Sequence, residues 1–483
     1  MINLIDFVEE HAQKNPSKIA IITKHSTLTF QELSAQSTLF KNSLTHLPKN
    51  SVVSLMFDNS IDFIISYIGT LKAGLIAHIL AHDISDKNFL FQINSSNSKL
   101  VITENKKFDS LKNSTISTKI STFDEMFSNN SSNPVDISQN DIAHLLYTSG
   151  TTSEPKGVPI THSNLIFTLK NIVSVLDCSS SDTLLLPLPL HHSFGLGCLN
   201  TSLYTGGTLI LLQNASDLDE ILKILKESKV TTLAAVPATL IKLLKFHQTD
   251  VENTFKNLRL IITNSTSIPP ETVSKYKKIL KNGNLATYYG LTEASRSTFM
   301  IFKNQLDKDS SVGKPAPGVE IKIETNDNDV GEIWIKGPNV IDDYWIPSTT
   351  DEKFIDGWIK TGDLGYFDKD GFLYLTGRLD DVINVGGEKV FPYNVEKIIK
   401  NMNDVDEVVV VGQKHDVFGQ TVKAFVKINP HSTLKKSDIL SFCIKNLEKY
   451  MVPTKIELVT EFPLTDYGKI KRFMLQKGDQ KND

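Results

Sequence analysis

The sequence predicts an α/β protein with a large N-terminal body, an appended antiparallel β subdomain and a small α+β domain at the C-terminus. Three observations support this prediction: the length of 483 residues, an ordinary globular composition, and short apolar runs that alternate with helical segments. Apolar residues make up 40% and charged residues 22%, a balance that excludes fibrous and largely disordered classes. A chain of this length is expected to hold roughly two to four structural units.

Alternating strands and crossover helices are predicted from Thr29 to about Ile102, where apolar runs such as Val52–Met56 separate helical stretches. The same alternation returns further along the chain. There we predict strands at 184–186, 208–212, 232–236 and 260–262, and helices at 218–227 and 240–246. Repeated alternation of this kind is typical of parallel sheets with helices as connections.

The region from Lys107 to Asn140 is rich in Ser, Thr and Asn, and we predict a surface excursion there. After Gly318, β-like runs at 319–324 and 332–335 predict the antiparallel subdomain. A last unit is expected from about Leu379, with strands at 408–411 and 424–428 and a helix at 437–447. We therefore divide the chain into a body, residues 1–379, and a C-terminal domain, residues 380–483.

The N-terminal residues predict an amphipathic helix and not a signal peptide, because no basic region precedes an apolar core. The most apolar window, Phe63–Ala81, contains Lys72 and His78. We interpret it as a buried helix, and no transmembrane segment is expected.

The formal net charge is −4, with 51 Lys and Arg against 55 Asp and Glu. Such a balance supplies no bulk positive field, so nucleic acid is not an expected partner. The cysteines, Cys178, Cys198 and Cys443, are far apart, which predicts neither a disulfide framework nor a zinc site. A reducing, cytoplasmic location is expected.

The stretch Leu145–Val158 begins as an apolar strand, opens into hydroxyls and glycines, and ends in Pro155-Lys156-Gly157. Glycines let backbone N–H groups approach phosphate oxygens, hydroxyls donate to them, and a lysine adds a point charge. The spacing is not that of a Walker loop, and a polar turn after a strand is the simpler alternative. The candidate phosphate-binding residues are Thr148, Ser149, Gly150, Thr151, Thr152 and Lys156.

This stretch resembles the phosphate loop of the adenylate-forming superfamily, which includes acyl-CoA synthetases, firefly luciferase and the adenylation domains of peptide synthetases. The segment Tyr288–Ala294 is similar to a second signature of that superfamily. The resemblance implies that Tyr289 stacks on adenine, Thr292 meets the α-phosphate and Glu293 binds magnesium. One carboxylate suffices, because Mg²⁺ is commonly held by one or two carboxylates together with substrate phosphates.

Two further segments, Thr361-Gly362-Asp363 and Gly377-Arg378, resemble the pair that binds the ribose of ATP. Taken alone, each of these short segments is equally well explained as a turn. The order and separation of the motifs along the chain carry the resemblance, which runs from about residue 5 to 475.

The C-terminal motif that begins at Phe462 resembles the one whose lysine, here Lys469, acts during adenylation. Carboxylate attack on a phosphate joins two anions, so a cation at that point favours the transition state. The resemblance also implies a mobile C-terminal lid. Asp380 would be its hinge, and Gly386 and Gly387 would serve the thiol-acceptor side.

The segment Leu188–Gly197 resembles the acyl-CoA synthetase form of the region that borders the acid, and it selects His192 as the residue near the carboxylate. A histidine that satisfies backbone groups at a strand end is an equal alternative. Two departures concern the nucleotide contacts: Ser153 replaces a common glycine, and Asn264–Ser267 replaces a Gly-rich stretch.

The resemblance implies an ATP-dependent ligase that forms an acyl-adenylate from a small carboxylic acid and then an acyl thioester, with ATP, Mg²⁺ and coenzyme A as cofactors or co-substrates. A medium or long fatty acid is the first expectation. A freestanding enzyme is expected, because no carrier domain follows the last motif. Loading of an acyl or peptidyl carrier protein is the nearest alternative, and a non-catalytic nucleotide-binding sensor or scaffold is the alternative of another class.

Overall fold

The computed structural model describes residues 3–111, 116–127, 134–148, 154–213, 217–303, 305, 307–325, 330–347, 352–463 and 470–477. Its helices are α1 (Leu4–Lys14), α2 (Phe30–Ser43), α3 (Ile61–Lys72), α4 (Asp86–Ser96), α5 (Asn105–Leu111), α6 (His162–Leu176), α7 (Ser193–Thr205), α8 (Leu218–Glu227), α9 (Pro237–Phe246), α10 (Gln248–Thr254), α11 (Pro270–Ile279), α12 (Pro392–Lys400), α13 (Lys436–Asn446) and α14 (Arg472–Lys477).

The strands of the first 315 residues are β1 (Ile19–Ile22), β2 (Thr27–Thr29), β3 (Val52–Met56), β4 (Ile76–Leu80), β5 (Leu100–Thr103), β6 (Lys119–Thr122), β7 (Ile142–Thr148), β8 (Lys156–Thr161), β9 (Thr183–Leu186), β10 (Thr208–Leu211), β11 (Thr232–Ala234), β12 (Leu260–Thr263), β13 (Asn284–Tyr289), β14 (Thr298–Ile301) and β15 (Lys314–Pro315). They are followed by β16 (Glu320–Glu324), β17 (Gly331–Lys336), β18 (Phe354–Ile355), β19 (Trp358–Phe367), β20 (Leu373–Arg378), β21 (Ile383–Val385), β22 (Glu388–Val390), β23 (Val405–His415), β24 (Gly419–Ile428) and β25 (Lys455–Leu458).

The chain forms two compact units, Met1–Glu320 with Ile335–Ile359, and Ile321–Trp334 with Lys360–Asp483. The first unit contains a six-stranded sheet in the order β6-β5-β3-β4-β7-β8 and a nine-stranded sheet in the order β15-β14-β13-β12-β11-β9-β10-β1-β2. Neighbours from β9 to β13 in the second of these sheets run parallel. Such strands are covered on both faces, which explains their continuous apolar runs, and the predicted strands in this region are confirmed.

Helix starts in the first unit follow from local capping chemistry. The Asn3 side chain accepts a hydrogen bond from the Asp6 N–H at the start of α1, and the Asp6 carboxylate accepts one from the Asn3 N–H. Thr29 and Glu32 form the same reciprocal pair at α2. The predicted N-terminal helix is therefore confirmed as α1. His192 occupies the N-cap position of α7, and its side chain makes no capping hydrogen bond.

The interpretation of Phe63–Ala81 as a single helix was wrong. Helix α3 ends at Lys72, and the chain turns at Gly74, where φ is +65°, before it enters β4. The Lys72 ammonium is buried, and it forms an ion pair with Glu9 and donates to the Ser34 carbonyl. Among the described helices, none combines the length and the apolar character that crossing a bilayer requires.

The predicted excursion between Lys107 and Asn140 was also partly wrong. Strand β6 lies within it and pairs in parallel with β5, so it extends the six-stranded sheet by one edge strand. The polar composition of β6 does not indicate a strand inside a sheet. Serine is usually exposed in proteins, but Ser121 is only 2% exposed here.

In the second unit, β19 and β20 pair antiparallel. A further sheet has the order β22-β21-β24-β23, and β25 pairs with β24. Helices α12 and α13 contribute Val395, Ile399, Ile439 and Cys443 to its apolar core. The α/β fold class, with a large N-terminal body and a smaller C-terminal domain, is confirmed, whereas the boundary at 379/380 stays a prediction.

Candidate active site

The predicted phosphate loop connects two paired strands. Strands β7 and β8 form an antiparallel hairpin whose last pair is Thr148 with Lys156. Lys156 is therefore fixed at the start of β8. The intervening predicted residues lie outside the described residues: Ser149, Gly150, Thr151, Thr152 and Ser153.

The base of this hairpin contacts a segment near residue 345. The Trp345 backbone N–H donates to the Gly157 carbonyl over 2.8 Å. A Cβ atom at Gly157 would lie 2.9 Å from the Trp345 Cβ, so this close approach requires glycine. The Lys156 ammonium lies 4.7 Å from the centre of the Tyr344 ring, a cation–π contact.

The second motif forms a tight turn between β13 and β14. Leu291 and Ala294 exchange backbone hydrogen bonds, and the Ser297 N–H donates to the Tyr289 carbonyl. A Cβ atom at Gly290 would lie 2.5 Å from the Ala294 carbonyl oxygen, so the turn has no room for a larger residue. This turn carries Thr292 and Glu293, and Tyr289 at the end of β13 is 7% exposed.

Glu293 is the centre of a buried polar group that we call the Glu293 cluster, formed by Lys156, Glu293, Tyr344 and Lys353. Its carboxylate is 5% exposed and accepts a hydrogen bond from the Tyr344 hydroxyl over 2.7 Å. The Lys353 ammonium lies 2.9 Å from the same oxygen, Oε1, and also donates to the Tyr344 hydroxyl over 2.7 Å. Glu293 thus has a fixed position and two donors.

The charge state of Glu293 follows from two opposing effects. Burial raises the pKa of this carboxyl, but the Lys353 charge and the hydrogen bonds from Tyr344 and Lys353 outweigh burial, and the net pKa lies below the ordinary value. Glu293 is therefore ionised at neutral pH and chemically suited to bind Mg²⁺. Within the described residues no cluster of three or more His, Cys, Asp and Glu side chains could hold a metal ion.

His192 lies at the N-terminus of α7, with its ring 4.2 Å from the ring of His191. The following residue, Ser193, is joined to the second motif because Arg296 donates to the Ser193 carbonyl over 3.1 Å. Ser193, Thr292 and Arg296 line one cavity, so the structure brings the His192 segment next to the Thr292 turn.

In the second unit, the predicted ribose-binding residues form an ion pair. Asp363 on β19 and Arg378 on β20 are directly opposite in the strand register, and Arg378 Nη1 lies 2.8 Å from Asp363 Oδ1. Gly362 adopts φ +72°, and a Cβ atom there would lie 3.1 Å from Arg378 Nη2. The Asp363 side chain is 12% exposed and the Arg378 side chain 47% exposed, which leaves the guanidinium accessible.

The predicted hinge and acceptor residues also lie in the second unit. Asp380 is exposed within a short 3₁₀ helix, Leu379–Asp381. Gly386 and Gly387 form the two-residue turn between β21 and β22, with φ values of +60° and +100° that favour glycine at both positions. Lys469 lies outside the described residues.

Three residues of this region were missed by the sequence analysis: Arg296, Tyr344 and Lys353. Lys353 follows Glu293 by 60 positions, and no local pattern in the sequence connects them. Arg296 could have been noticed in the sequence, because it lies two residues after the second motif and arginine is rare in this chain.

Comparisons with known proteins identify the family to which this chain belongs. A family model described as AMP-binding enzyme matches residues 8–345, and one described as AMP-binding enzyme C-terminal domain matches residues 394–469. The oxalate–CoA ligase of Arabidopsis thaliana is 32% identical over 451 residues, which cover 87% of each protein. A long-chain-fatty-acid–CoA ligase of Haemophilus influenzae is 28% identical, with 98% of this chain and 94% of that protein covered.

Solved structures are similar to this chain over nearly its whole length. MatB from Rhodopseudomonas palustris with bound ATP has a TM-score of 0.91 and 26% identity, with 99% of both chains covered. O-succinylbenzoate coenzyme A synthetase (MenE) from Bacillus subtilis, in complex with ATP and magnesium ion, has a TM-score of 0.83 and 28% identity, with 97% of this chain and 98% of that chain covered. The first family model alone spans well over half of the chain, which confirms the resemblance: the chain belongs to the AMP-binding enzyme family.

Proposed function

We propose that this chain is an AMP-forming acid–CoA ligase, which makes an acyl-adenylate from ATP and a carboxylic acid and then transfers the acyl group to coenzyme A. The observation that carries the proposal is the Glu293 cluster, in which a buried carboxylate is kept ionised beside Thr292 in a family member. The CoA ligase names of the relatives and the ATP and magnesium complexes of related structures support it.

In the first half-reaction, one carboxylate oxygen of the acid attacks the α-phosphorus of ATP. The bond from that phosphorus to the bridging oxygen breaks, and pyrophosphate leaves with the electron pair. In the second, the sulfur of coenzyme A attacks the acyl carbon, the thiol gives up its proton, and AMP leaves. Activation as a mixed anhydride divides one difficult acyl transfer into two easier steps.

The proposed roles in the first unit follow from the charge of the groups. Glu293 would hold Mg²⁺, which neutralises phosphate charge when it is bound. Thr292 would donate to the α-phosphate, and Lys156 would attract the phosphates together with the residues from Thr148 to Thr152. Tyr289 would stack on adenine.

The proposed roles in the second unit divide between binding and catalysis. Asp363 would accept hydrogen bonds from the ribose hydroxyls, and Arg378 would hold Asp363 in place and add a positive charge. Lys469 would stabilise the charge that develops in adenylation. Asp380 would be the hinge, and Gly386 and Gly387 would serve the thiol-acceptor side.

The proposal also includes the residue that orients the acid, the thiol acceptor and the location of the protein. His192, at the start of α7, would orient the reacting carboxylate. Coenzyme A is the proposed acceptor, and the phosphopantetheine arm of a carrier protein is the alternative. We also propose a cytoplasmic location, which the three unpaired cysteines support.

The test is exchange of labelled pyrophosphate into ATP with a panel of acids, followed by AMP release with either coenzyme A or a phosphopantetheinylated carrier protein. Acid-dependent exchange and AMP release with free coenzyme A are expected. Exchange followed by transfer to the carrier alone would replace the acceptor and leave the adenylation in place. Measurable ATP binding without exchange for any acid would favour a non-catalytic nucleotide sensor and overturn the proposal.

A further inference from the structure

Arginine is rare in this chain. Among its 51 basic Lys and Arg residues, only Arg259, Arg296, Arg378 and Arg472 are arginine. Arginine differs from lysine in that its planar fork matches a carboxylate with two parallel hydrogen bonds. In a chain that otherwise uses lysine, we therefore expect each arginine to have a carboxylate partner.

Three of the four arginines have such a partner. Arg259 pairs with Asp182, Arg378 with Asp363 and Arg472 with Glu396. Arg296 is the exception: in the part of the chain that the structure describes, no carboxylate lies within 4.0 Å of its guanidinium.

Arg296 is nevertheless buried, with 5% of the residue exposed. Its guanidinium donates to Ser295 Oγ over 2.6 Å and to the Ser193 carbonyl over 3.1 Å, and it lies 4.8 Å from the centre of the Tyr288 ring. These contacts fix the orientation of the side chain but bring no negative charge. A buried cation without a counter-ion is costly, and such charges in proteins are normally paired.

The local structure is arranged around this guanidinium. A Cβ atom at Gly197 would lie 1.9 Å from Arg296 Nη2, so α7 leaves a space here that any larger residue would fill. Arg296 itself has φ +54°, a left-handed conformation that is unfavourable for a long side chain. Unfavourable backbone of this kind tends to occur at functional sites.

Two cavities meet at Arg296. The first, which we call the Thr292 cavity, is lined by Ser193, Asn200, Thr292, Arg296 and Asn339 among others. The second, the Tyr288 cavity, is lined by Cys198, Thr232, Tyr288 and Arg296 among others. Both volumes adjoin the turn that carries Thr292, where the proposed function has the acid react.

The lining of both cavities is mostly apolar, with a few polar atoms among the apolar side chains. In the Thr292 cavity, the buried amide oxygens of Asn200 and Asn339 make no hydrogen bond to described residues, and in the Tyr288 cavity the same holds for the Thr232 hydroxyl. Buried polar atoms are normally satisfied, so the two amide oxygens are expected to accept hydrogen bonds from bound water, and the Thr232 hydroxyl can donate one to a carboxylate.

No other charged group in the described lining competes with Arg296 or neutralises it. Asp182 borders the Tyr288 cavity, but Arg259 binds both of its carboxylate oxygens. His144 borders the Thr292 cavity, and burial lowers its pKa to about 3, so it is uncharged at neutral pH. Arg296 therefore contributes the positive charge of both cavities.

We propose that Arg296 binds a second carboxylate of the acid substrate, so that this chain activates short dicarboxylic acids. The inference rests on the proposed ligase function and names its substrate class. One carboxylate reacts at the α-phosphate near Thr292 and becomes the acyl-adenylate. The other stays ionised against Arg296 through both half-reactions and leaves with the product as a free carboxylate on the acyl-CoA.

The length of the acid follows from chain geometry. Thr292 and Arg296 are four residues apart, so their Cα atoms are separated by at most about 15 Å. Both residues line the Thr292 cavity, so an acid that reaches from one to the other has only a few carbon atoms between its two carboxylates. This replaces our first expectation of a medium or long fatty acid. Family membership does not decide between them, since the relatives include an oxalate–CoA ligase and a long-chain-fatty-acid–CoA ligase.

The first experiment needs no variant. Pyrophosphate exchange is measured on the wild-type chain with dicarboxylic acids of two to six carbons and with monocarboxylic acids of equal length. We expect kcat/KM for the best dicarboxylic acid to exceed that of its monocarboxylic counterpart by about 100-fold, because the monocarboxylate leaves the buried charge unpaired. Equal or greater activity with monocarboxylic acids would overturn the inference while adenylation itself stands.

The second experiment compares Arg296→Met, Arg296→Lys and a control, Lys226→Met, which removes a positive charge from the surface of the same unit. Arg296→Met should lower kcat/KM for the dicarboxylic acid by about 100-fold and leave the monocarboxylic acid within about 5-fold, which removes the preference. Arg296→Lys should keep part of the preference, and Lys226→Met all of it. Equal losses for both acids in Arg296→Met would mean a purely structural arginine, and absence of exchange with every acid in the wild type would instead reject the ligase function.

Discussion

Glu293 and Asp363 are both buried carboxylates with a basic partner, but the two pairs are built differently. Asp363 is paired with the residue directly opposite on the neighbouring strand, and half of that arginine side chain is exposed. Glu293 is paired with a lysine 60 positions away whose side chain is 24% exposed, and a tyrosine completes the contact. Strand register thus determines one pair, whereas tertiary folding determines the other.

The difference has energetic consequences. Exposed ion pairs contribute little to stability because water and salt screen them, whereas removing one partner of a buried pair leaves an uncompensated charge. Substitutions in the Glu293 cluster should therefore change stability and charge state together. Substitutions in the Asp363 pair should change nucleotide binding and little else.

The largest expected effect belongs to Lys469→Ala. Loss of the cation should lower the adenylation rate by about two to three orders of magnitude, because charge stabilisation in the transition state is lost. Thioester formation from supplied acyl-adenylate should be nearly retained. Each half-reaction is measured separately, with Lys471→Ala as the matched control that keeps both. Equal losses in the two half-reactions would contradict a role of Lys469 in adenylation alone.

The next largest effect is expected for Lys353→Met, which removes the cation from the Glu293 cluster. Burial then dominates, and the pKa of Glu293 rises above its ordinary value. In the wild type the lowered pKa adds stability that is present above the unfolded pKa, about 4.3, and is lost as the pH falls through the folded pKa. The variant lacks this contribution, so its free energy of unfolding near pH 7 should fall by about 3 kcal/mol.

Two measurements check the Lys353 prediction. The acid limb of the pH profile for adenylation should move to higher pH, because Glu293 must be ionised to bind Mg²⁺. The stability gap between variant and wild type should narrow as the pH falls, first through the raised pKa of Glu293 in the variant and then through the lowered pKa in the wild type. Lys336→Met, which removes a lysine that bonds the Asp356 carbonyl, is the control and should show neither change. An unshifted acid limb in Lys353→Met would show that Lys353 does not set the charge of Glu293.

The same contrast explains what the sequence could predict. Strand β12 and helix α8 follow from apolar runs and periodicity, and Asp363 and Arg378 were paired in advance because a resemblance supplied both motifs. Tyr344 and Lys353 could not be found this way, because their contact with Glu293 arises only when distant segments pack. Strand β6 was missed for a related reason. Its residues are polar, and it forms a strand because it pairs with β5, a contact that the local sequence does not show.

A smaller effect is expected for Asp363→Asn. The variant should raise KM for ATP by about 10-fold, because a charge-assisted hydrogen bond to the ribose becomes a neutral one. Stability should change by less than about 1 kcal/mol, since the pair is partly exposed and screened. The test compares ATP with 2′-deoxyATP: the wild type should discriminate between them, and the variant should do so less. Undiminished discrimination in the variant would remove Asp363 from the ribose site.

The smallest effect is expected for Tyr344→Phe. The ring that faces the Lys156 ammonium at 4.7 Å is kept, and the hydroxyl that donates to Glu293 and accepts from Lys353 is lost. Because Lys353 still compensates the carboxylate, stability should fall by about 1 kcal/mol and adenylation by about 3-fold. Tyr344→Leu removes the ring as well and should be worse in both assays, measured as the midpoint of thermal unfolding and as pyrophosphate exchange. Similar losses in the two variants would mean that the hydroxyl, and not the cation–π contact, accounts for the role of Tyr344 in the Glu293 cluster.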